Sequence, residues 1–532
     1  MNHPGDNAPR ILVADQLAED GLAKLRQAGT VEVATGLSEG ELVSRIGGFS
    51  ALVVRSETKV TRPVIEAATA LRIIGRAGVG VDNIDVPAAT ERGILVVNAP
   101  TGNTVAAAEH TIALMLALCR NVARADSSLR QGRWERSSLV GTELRGKTLA
   151  VIGLGKIGME VARIARGLQM RVLAYDPLVA EERAAQLGIE LGSLDEVLAR
   201  ADMVTVHTPL NDATRGMIGA RELALMPTGG RVMNVGRGGI VDEAALAAAV
   251  ASEHLAGAAV DVFTKEPPPP DHPLLGDPRI LVTPHLGAST REAQENVAVA
   301  VAEQVADYLI RGTIRNAVNF PSIPADQAQL LAPYINLAER MGGFAAQVFE
   351  YAAREITIEY MGEASGFNTA PVTMAAVKGF LAPALGDTVN FINAPLIARE
   401  RGIEIRETRT PESGDYRSML CLRIRGEKTG YLCGTLFSRK DPRIIALDGA
   451  QVEIIPEGTM LFMLNNDRPG LIGAVGTFLG SRGINIARMF FGRESEGGTA
   501  ISVVSVDSPL TGELLRELRK IPNILSVKQV VL

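Results

Sequence analysis

Cysteine is scarce in this 532-residue chain, which contains three: Cys119, Cys421 and Cys433. Their number is odd and they are widely separated, so they fit neither a disulfide framework nor a metal-binding motif. We therefore expect buried, unreactive thiols. The same pattern predicts a reducing, cytoplasmic location and no metal site.

Long apolar runs and a strong charge bias are also missing. No uninterrupted apolar stretch approaches the roughly 18 to 20 residues that a membrane helix needs, and the richest one, residues 105–119, is interrupted by Glu109 and His110. The N-terminal segment is polar and lacks the apolar run of a secretory signal. The net charge is −6, which does not favour binding to nucleic acid. We expect neither a membrane nor a nucleic-acid partner.

The chain is too long for one hydrophobic core, and three or four domains are expected. In the first half, short β-branched runs alternate with amphipathic stretches, a pattern that favours parallel sheets covered by helices on both faces. The C-terminal segment has the β-α-β-β-α-β order of a ferredoxin-like domain. The predicted fold class is α/β, with two doubly wound parallel-sheet domains, an intervening α+β domain and a ferredoxin-like module. The predicted ranges are 1–100 with 285–318, 101–284, 319–456 and 457–532.

Four local predictions accompany this division. One long helix is expected over about residues 104–124, and a helix over about 290–309 should return to the first unit. Asn319–Pro324, with two prolines, is predicted to be a linker. The segment Gly78–Asp82 resembles a glycine motif without a following helix, and we interpret it as a tight turn beside the active-site cleft.

One glycine motif carries the cofactor prediction. Gly153, Gly155 and Gly158 follow a predicted buried strand and open a predicted helix, and Asp176 ends the next strand. Glycines in this order allow a tight turn, close approach of the backbone to a pyrophosphate, and helix–sheet packing. The helix N-terminus presents free N–H groups to phosphate. Asp176 would accept hydrogen bonds from ribose hydroxyls and repel a 2′-phosphate, which favours NAD over NADP. The alternative is that the glycines merely end a strand in a nucleotide-free fold.

Three polar residues follow successive predicted strands of the same unit: Arg237, Glu266 and His285. Ligands of doubly wound sheets bind at the carboxyl ends of the strands, so the three loops are expected to converge on one cleft. The Arg237 guanidinium suits a carboxylate and a carbonyl oxygen. His285 is suited to carry a proton near neutral pH, and a nearby Glu266 would favour the imidazolium and fix its tautomer. This combination is the minimum needed to oxidise an alcohol next to a carboxylate.

Each of these residues also has a simpler interpretation. His285 could cap the following helix or satisfy a buried carbonyl, Arg237 could be a solvated loop residue, and Glu266, before four prolines, could be a surface charge. The catalytic interpretation is favoured because all three follow strands of one nucleotide-binding unit.

The chain resembles the D-isomer-specific 2-hydroxyacid dehydrogenases, and more closely their long-form members that oxidise 3-phosphoglycerate. The resemblance covers nearly the whole chain. It rests on four motifs: G-R-A-G-V-G-V-D-N-I-D from Gly75, G-L-G-K-I-G from Gly153, V-G-R-G-G-I-V-D-E from Val235, and P-H-L-G-A-S-T from Pro284. Gly236 departs from the alanine or serine that many relatives carry before the arginine, and its missing methyl group is expected to loosen the loop.

The resemblance implies roles for further residues, which could not be assigned from the spacing of the motifs. Arg237, Glu266 and His285 correspond to the family's catalytic set. Cofactor contacts are implied, besides the three glycines, at Val79, Lys156, Ile157, Asp176, Thr208, Val235, Gly236, Arg237, Asp261, His285, Leu286, Gly287 and Ala288. Substrate contacts are implied at Arg55, Ser56, Arg76, Asn103 and Arg237. A substrate with a phosphate and a carboxylate needs more than one cation, in agreement with these arginines.

The C-terminal eighty or so residues resemble an ACT domain, a module that binds amino acids at subunit interfaces. Asn465, Asp467 and Asn485 match the positions that hold the effector, which we expect to be L-serine. The alternative is a domain retained only for assembly. The preceding segment, with V-N-F-I-N-A-P-L-I-A-R-E-R-G-I from Val389, resembles the extra intervening domain of long-form members. The resemblance further implies a homotetramer, with Arg136, after Trp134, reaching a neighbouring subunit's site.

The expected activity is NAD-dependent oxidation of 3-phospho-D-glycerate to 3-phosphohydroxypyruvate, the first step of L-serine biosynthesis, with possible feedback by L-serine. One alternative is a dehydrogenase for another D-2-hydroxy acid, such as 2-hydroxyglutarate, or for glyoxylate. Others are a non-enzymatic NAD-sensing corepressor or scaffold, and an amino-acid-binding regulator with an inactive catalytic half.

Overall fold

A computed structural model describes residues 8–321, 325–493 and 497–532. The described chain contains two parallel sheets, one mixed sheet and one antiparallel sheet. This architecture confirms the predicted fold class. The predicted domain limits remain a prediction.

The first sheet is parallel, with strand order β2-β1-β3-β4-β5. Its central strands are buried on both faces, which explains their runs of β-branched residues. The strands are β1 (Arg10–Val13), β2 (Thr30–Val33), β3 (Ala51–Val54), β4 (Ile73–Arg76) and β5 (Leu95–Asn98). The helices between them are α1 (Glu19–Arg26), α2 (Glu39–Arg45), α3 (Arg62–Ala67) and α4 (Val86–Glu91).

The second sheet is parallel, with order β12-β11-β10-β9-β6-β7-β8. The order reverses between β6 and β9, and this reversal opens a crevice at the carboxyl ends of the two strands. The strands are β6 (Thr148–Ile152), β7 (Arg171–Tyr175), β8 (Glu190–Leu191), β9 (Met203–Val206), β10 (Gly230–Asn234), β11 (Leu255–Val260) and β12 (Ile280–Val282). The helices are α5 (Thr104–Cys119), α6 (Val122–Arg130), α7 (Lys156–Gly167), α8 (Glu181–Gln186), α9 (Leu194–Ala199), α10 (Ala220–Leu225) and α11 (Glu243–Ala251).

The single helix predicted over residues 104–124 is wrong, because the chain breaks between α5 and α6. Asn121 has φ of 54°, a left-handed conformation that asparagine adopts more readily than most residues. Among the described residues, no single helix is both long and apolar enough to cross a membrane, although α5 and α6, bent by 61°, meet that criterion as a pair.

The helix α12 (Arg291–Arg311) leaves the second sheet and packs on the first. Val297, Val301 and Val305 lie in one core with residues of β1, β3, β4 and β5. The expected return of this helix to the first unit is confirmed. Thus the two sheets are connected at two crossing points, one before α5 and one before α12.

The third sheet has order β14-β13-β15-β16-β17-β18 and is antiparallel except for the β13–β14 pair. Two long helices, one of them containing Pro333, cover one face. The helices are α13 (Ala325–Val348), α14 (Ala370–Leu385) and α15 (Ala394–Glu400). The strands are β13 (Glu355–Gly362), β14 (Glu404–Thr410), β15 (Ser418–Arg425), β16 (Thr429–Phe437), β17 (Asp441–Leu447) and β18 (Ala450–Ile454).

The C-terminal sheet has order β20-β21-β19-β22. Two helices cover one of its faces, and the β-α-β-β-α-β order predicted from the sequence is confirmed. The elements are β19 (Thr459–Asn466), α16 (Leu471–Gly480), β20 (Ile486–Arg493), β21 (Thr499–Val506), α17 (Gly512–Leu518) and β22 (Ile524–Val531).

The third sheet's unit is joined by packing to both the first and the last. Phe462 and Val503 of the C-terminal sheet lie in the core formed by α13 and α14. Met374 and Ile392 lie in the core of the first sheet, and Asn390 Nδ2 donates to the Gly93 carbonyl oxygen at 2.8 Å.

The predicted linker is anchored where it begins. The Asn319 side chain accepts a hydrogen bond from Val96 N–H at 2.9 Å and donates to the Ile94 carbonyl oxygen at 2.9 Å. It is therefore fixed against the edge strand β5. The rest of the predicted linker, residues 322–324, lies outside the described residues.

Two of the three cysteines form a disulfide, so the prediction of three free thiols is wrong. Cys421 and Cys433 are direct partners on β15 and β16 and are bonded to each other. They lie at equal distance from Glu427 at the tip of the hairpin, so the hairpin register brings them together. Cys119 is buried and free, as expected. Because the cytoplasmic location was argued from unpaired cysteines, it no longer has that support and stays a prediction.

The cysteine pairing predicts a thiol count. In denaturant without reductant, we expect one thiol per chain to react with a thiol reagent, and three after reduction. The Cys119→Ser variant is the control and should show none before reduction. Three reactive thiols in unreduced protein purified without reductant would contradict the pairing.

Candidate active site

The glycine motif forms a tight loop between β6 and α7. Gly153 has φ of +95°, and a Cβ there would lie 2.9 Å from Thr208 Cγ2. A Cβ at Gly158 would lie 2.0 Å from the Gly153 carbonyl oxygen. A Cβ at Gly155 would meet no atom of the described residues within 4 Å, so the space in front of it is open. The loop thus has the close packing and the open side that a dinucleotide motif requires.

The surroundings of this loop fit a dinucleotide. Thr208 Oγ1 is buried and has no hydrogen-bond partner among the described residues, which marks a position for an absent polar group. The Asp176 carboxylate accepts hydrogen bonds from Leu154 N–H at 2.8 Å and Leu178 N–H at 2.9 Å. Each carboxylate oxygen has further acceptor capacity for ribose hydroxyls. The α7 N-terminus at Lys156 would hold the pyrophosphate.

His285 and Glu266 meet as predicted from the chain order of their loops. His285 Nδ1 lies 2.8 Å from Glu266 Oε2. Glu266 Oε1 accepts a hydrogen bond from Phe263 N–H at 3.0 Å, which fixes the carboxylate. A carboxylate on Nδ1 favours the tautomer with its proton on that nitrogen and leaves Nε2 free to accept a proton.

The Glu266 carboxyl is held in its charged form. Partial burial acts to raise its pKa, but the hydrogen bonds from His285 and Phe263 N–H outweigh it, and the pKa of Glu266 is lowered. The Glu266 carboxyl is therefore ionised at every pH above the ordinary pKa of a glutamate. Its side chain is 38 % exposed, so solvent screens much of the pair's energy.

Arg237 is oriented by its neighbours on two loops. Its Nε donates to Asp82 Oδ2 at 3.1 Å, and its Nη1 donates to the Gly236 carbonyl oxygen at 2.8 Å. Asn234 Nδ2 donates to the Arg237 carbonyl oxygen at 3.0 Å, and Asn234 Oδ1 accepts from Gly236 N–H at 3.3 Å. A Cβ at Gly236 would lie 2.8 Å from the Val206 carbonyl oxygen. Asn234 thus ties the loop, and Gly236 packs on the end of β9. The looser loop expected from Gly236 stays a prediction.

Three arginines form a cationic cluster at the ends of β3, β4 and β10. Burial, followed by repulsion from Arg237, lowers the pKa of Arg76 to about 10, and Arg55 adds to this repulsion. Arg76 Nε and Asn103 Oδ1 are buried without a hydrogen-bond partner among the described residues. Such a group of cations is stabilised by an anion. Ser56, also predicted to contact substrate, is exposed nearby in sequence.

The glycine turn at Gly78–Asp82 makes room for two of these guanidinium groups. A Cβ at Gly78 would lie 1.5 Å from Arg76 Nη1, and a Cβ at Gly80 would lie 2.0 Å from Arg237 Nη2. The segment forms a tight turn, with Gly78 N–H donating to the Arg76 carbonyl oxygen at 2.8 Å. Its place beside the active-site cleft stays a prediction. Asp82 adds the carboxylate that orients Arg237.

Several contributing residues were missed by sequence reasoning. Asp15 Oδ2 accepts from Arg55 N–H at 2.5 Å, and Asp82, Asn234 and His110 contact predicted site residues. The feature that could have identified them is their position, since each lies at the end of a predicted strand, in the glycine turn or within the α5 stretch. Their residue types alone do not distinguish them from other polar residues. Asp261 was predicted as a cofactor contact, but its carboxylate is fully buried and bonded to protein donors; that contact remains a prediction.

The predicted effector residues do not converge within one chain. Asn465 is buried and its Oδ1 accepts from Ser502 Oγ at 2.6 Å. It lies at the Thr499 end of β21, whereas Asn485 Nδ2 donates to Asp507 Oδ2 at 2.8 Å, just past the other end. The eight residues of β21 span about 25 Å at roughly 3.3 Å per residue.

Three family matches account for most of the chain. Residues 112–287 match the NAD binding domain of the D-isomer specific 2-hydroxyacid dehydrogenases. Residues 330–448 match the D-3-phosphoglycerate dehydrogenase intervening domain. Residues 459–523 match the ACT domain. The unit built on the second sheet is therefore an NAD-binding domain.

Curated relatives match along nearly the whole chain. A D-3-phosphoglycerate dehydrogenase of Archaeoglobus fulgidus is 45 % identical over 98 % of this chain and 100 % of the relative. One from Bacillus subtilis is 39 % identical over 98 % of this chain and 99 % of the relative. Among solved structures, a Thermus thermophilus protein has a TM-score of 0.54 at 36 % identity and covers 58 % of this chain and 99 % of its own.

The chain belongs to the D-isomer specific 2-hydroxyacid dehydrogenase family. Within that family it groups with the D-3-phosphoglycerate dehydrogenases, whose length and intervening domain it shares.

The packing at Gly80 predicts the effect of one methyl group. In Gly80→Ala the new Cβ collides with the Arg237 guanidinium and with Asp82 Oδ2. The arginine must turn away, and loss of a charge-assisted hydrogen bond should weaken binding of a dianion such as oxalate about ten-fold. Calorimetric titration of the NADH-loaded protein measures this. Gly40→Ala, which meets no atom within 4 Å, is the control. Equal oxalate affinity in both variants would contradict the packing argument.

Proposed function

We propose that the protein is an enzyme that oxidises 3-phospho-D-glycerate to 3-phosphohydroxypyruvate with NAD, the first step of L-serine biosynthesis. The observation that carries the proposal is the His285–Glu266 pair, with its 2.8 Å contact, beside the NAD-binding crevice. The full-length similarity to D-3-phosphoglycerate dehydrogenases supports the choice of substrate.

The roles of the catalytic residues follow from their contacts. NAD, when bound, supplies the acceptor for the hydride that leaves C2 of the substrate. His285 takes the proton of the C2 hydroxyl at Nε2 and returns it in the reverse reaction. Glu266, ionised and bonded to Nδ1, orients the ring and stabilises the imidazolium. Arg237, oriented by Asp82, binds the carboxylate and the developing carbonyl oxygen.

The arginine cluster supports a phosphorylated substrate. Arg76 is half-buried among like charges, and an anion would relieve that repulsion. Arg55 lines a cavity of about 120 Å³ with Gln16 and with Gln294 of α12. We assign the phosphate to Arg55 and Arg76, with Ser56 and Asn103 as neutral donors, and the carboxylate to Arg237.

A dehydrogenase for another 2-hydroxy acid is the second candidate. Its support is structural similarity to a glyoxylate reductase of Paecilomyes thermophila, with a TM-score of 0.55 at 29 % identity over 59 % of this chain and 98 % of that chain. Small acids without phosphate leave Arg55 and Arg76 without an anion. The non-enzymatic alternatives leave the paired His285 and Glu266 without a role.

Asp176 supports NAD over NADP as the cofactor. Its carboxylate lies at the carboxyl end of β7, held by Leu154 N–H, where it would accept hydrogen bonds from ribose hydroxyls and repel a 2′-phosphate. The remaining predicted contacts, including Val79, Lys156, Ile157, Thr208, Val235, Leu286, Gly287 and Ala288, belong to the same proposal.

Turnover is tested with a substrate panel. We expect NAD reduction with 3-phospho-D-glycerate, and much less with 2-hydroxyglutarate, D-lactate or glycerate. His285→Asn should lower kcat by about 10² to 10⁴, the usual contribution of a general base. His254→Asn, whose Nε2 bonds to the Leu223 carbonyl oxygen, is the control and should retain activity. A wild-type protein that binds NAD but oxidises only unphosphorylated acids would favour the second candidate.

L-serine is the proposed effector, bound between two copies of the C-terminal module. Asp467 suits the ammonium group of serine, and it is held by Arg493 Nη1 at 2.9 Å. Asn485 lies at the opposite end of the edge strand β20 from Arg493. Antiparallel pairing of two β20 edges would bring Asn485 of one copy beside Asp467 of the other, with Asn465 behind it.

A homotetramer is the proposed assembly. Besides the module pairing, it is supported by an apolar arm after α6, where Trp134 and Val140 are each 81 % exposed. Exposed apolar side chains at this density favour a contact with another copy. Arg136 lies on the same arm, in agreement with the expectation that it reaches a neighbouring subunit.

Serine binding is tested by blocking Asn485. We expect L-serine to inhibit the wild type and Asn485→Phe to lose that inhibition, because the ring fills the space of the effector. Arg516→Phe, exposed on α17 and away from the β20 edge, is the control and should keep the inhibition. Inhibition curves with NADH absorbance give the comparison, and unchanged inhibition in Asn485→Phe would remove the residue from the effector site.

A further inference from the structure

His110 of α5 contacts a fully buried carboxylate. Its Nε2 lies 3.1 Å from Asp261 Oδ1 and 3.4 Å from Thr283 Oγ1. The His110 side chain is 19 % exposed, and that of Asp261 is 0 % exposed. Asp261 directly follows β11, Thr283 directly follows β12, and His110 comes from α5. The contact therefore joins three separate parts of the chain.

The Asp261 carboxylate holds the loop of His285 on both sides of that residue. Its Oδ1 accepts from Thr283 Oγ1 at 2.6 Å and from Leu286 N–H at 2.7 Å, and its Oδ2 accepts from Gly287 N–H at 2.9 Å. His285 has φ of 54°, a conformation that is uncommon for residues other than glycine. Such a conformation persists where surrounding contacts impose it.

The buried charge makes each of these donors important. A carboxylate out of water is costly unless hydrogen bonds compensate for its lost hydration. Burial acts to raise the pKa of Asp261, but hydrogen bonds from His110, Thr283 and Leu286 N–H outweigh it and lower the pKa. Thr283 and Leu286 belong to the loop itself, whereas His110 comes from α5. His110 is thus the contact that ties the carboxylate and its loop to a helix of the NAD-binding domain.

We propose that His110 is a positioning residue for the reaction: through Asp261 it holds the 283–287 loop in the conformation that brings His285 to Glu266. It contacts none of the three catalytic side chains and acts through the buried carboxylate. This inference rests on the proposed function, because the loop matters for turnover only if His285 is the proton carrier.

The test compares two replacements of His110. His110→Leu keeps the apolar volume and removes the donor, and His110→Gln keeps an N–H donor near the position of Nε2. At saturating NAD, we expect His110→Leu to lower kcat about ten-fold, as for loss of one hydrogen bond to a charged group. KM for 3-phospho-D-glycerate should stay unchanged, because the arginine cluster is untouched. His110→Gln should restore most of kcat.

A second readout does not depend on turnover. Amide hydrogen exchange, measured by mass spectrometry on peptides covering residues 283–290, should be faster in His110→Leu than in the wild type and normal in His110→Gln. His254→Leu is the matched control, since it removes a half-buried ring that bonds to the Leu223 carbonyl oxygen, and it should change neither measurement. If His110→Leu does not fold, His110→Asn, whose amide is too short to reach Asp261, replaces it.

The outcomes separate this inference from the function on which it rests. If the wild type does not oxidise 3-phospho-D-glycerate, the proposed function fails, and hydrogen exchange still decides whether His110 holds the loop. If the wild type is active but His110→Leu matches it in kcat and exchange, the positioning role is wrong. The positioning role would also be wrong if His110→Leu raised KM for 3-phospho-D-glycerate by the same factor as it lowered kcat, and if His110→Gln did not restore either value.

Discussion

The cleft depends on one buried negative charge. The Asp261 carboxylate has no contact with solvent and is stabilised by donors from α5 and from both sides of His285. Because an uncompensated charge in this position is costly, the loop has little freedom to leave it. The left-handed backbone of His285 and its contact with Glu266 follow from that constraint. The connection between β12 and α12 is thus held by a buried charge, and it carries the residue that we propose as the proton carrier.

A second feature of the cleft is the repulsion among three neighbouring arginines. Burial, followed by repulsion from Arg237 and Arg55, lowers the pKa of Arg76, and the Asp82 carboxylate compensates for part of the charge. Because Gly78 and Gly80 have no side chains, the guanidinium groups of Arg76 and Arg237 can lie close to the backbone there. An anion bound among these arginines would relieve their repulsion, in agreement with the proposed substrate site.

The sequence predicted what depends on local pattern and strand order. The alternation of strands and helices predicted the fold class. The order of the loops on a parallel sheet was enough to predict that Glu266 and His285 lie close together. Contacts that depend on distant parts of the chain were missed, such as His110 on Asp261 and the disulfide, whose register is set only once the hairpin exists. The break at Asn121 was missed because its left-handed backbone leaves no mark on the apolar pattern. The residues predicted to bind an effector were chosen by resemblance alone, which does not reveal that Asn465 and Asn485 lie at opposite ends of one sheet.

The intervening unit shares packed cores with its neighbours on both sides. Phe462 belongs to the core of α13 and α14, and Met374 belongs to the core of the first sheet. Protein interiors at this density tolerate little sliding between their parts. The C-terminal module and the sheet that carries Arg55 and Arg76 are therefore connected by continuous packing, with the intervening unit as the rigid link between them.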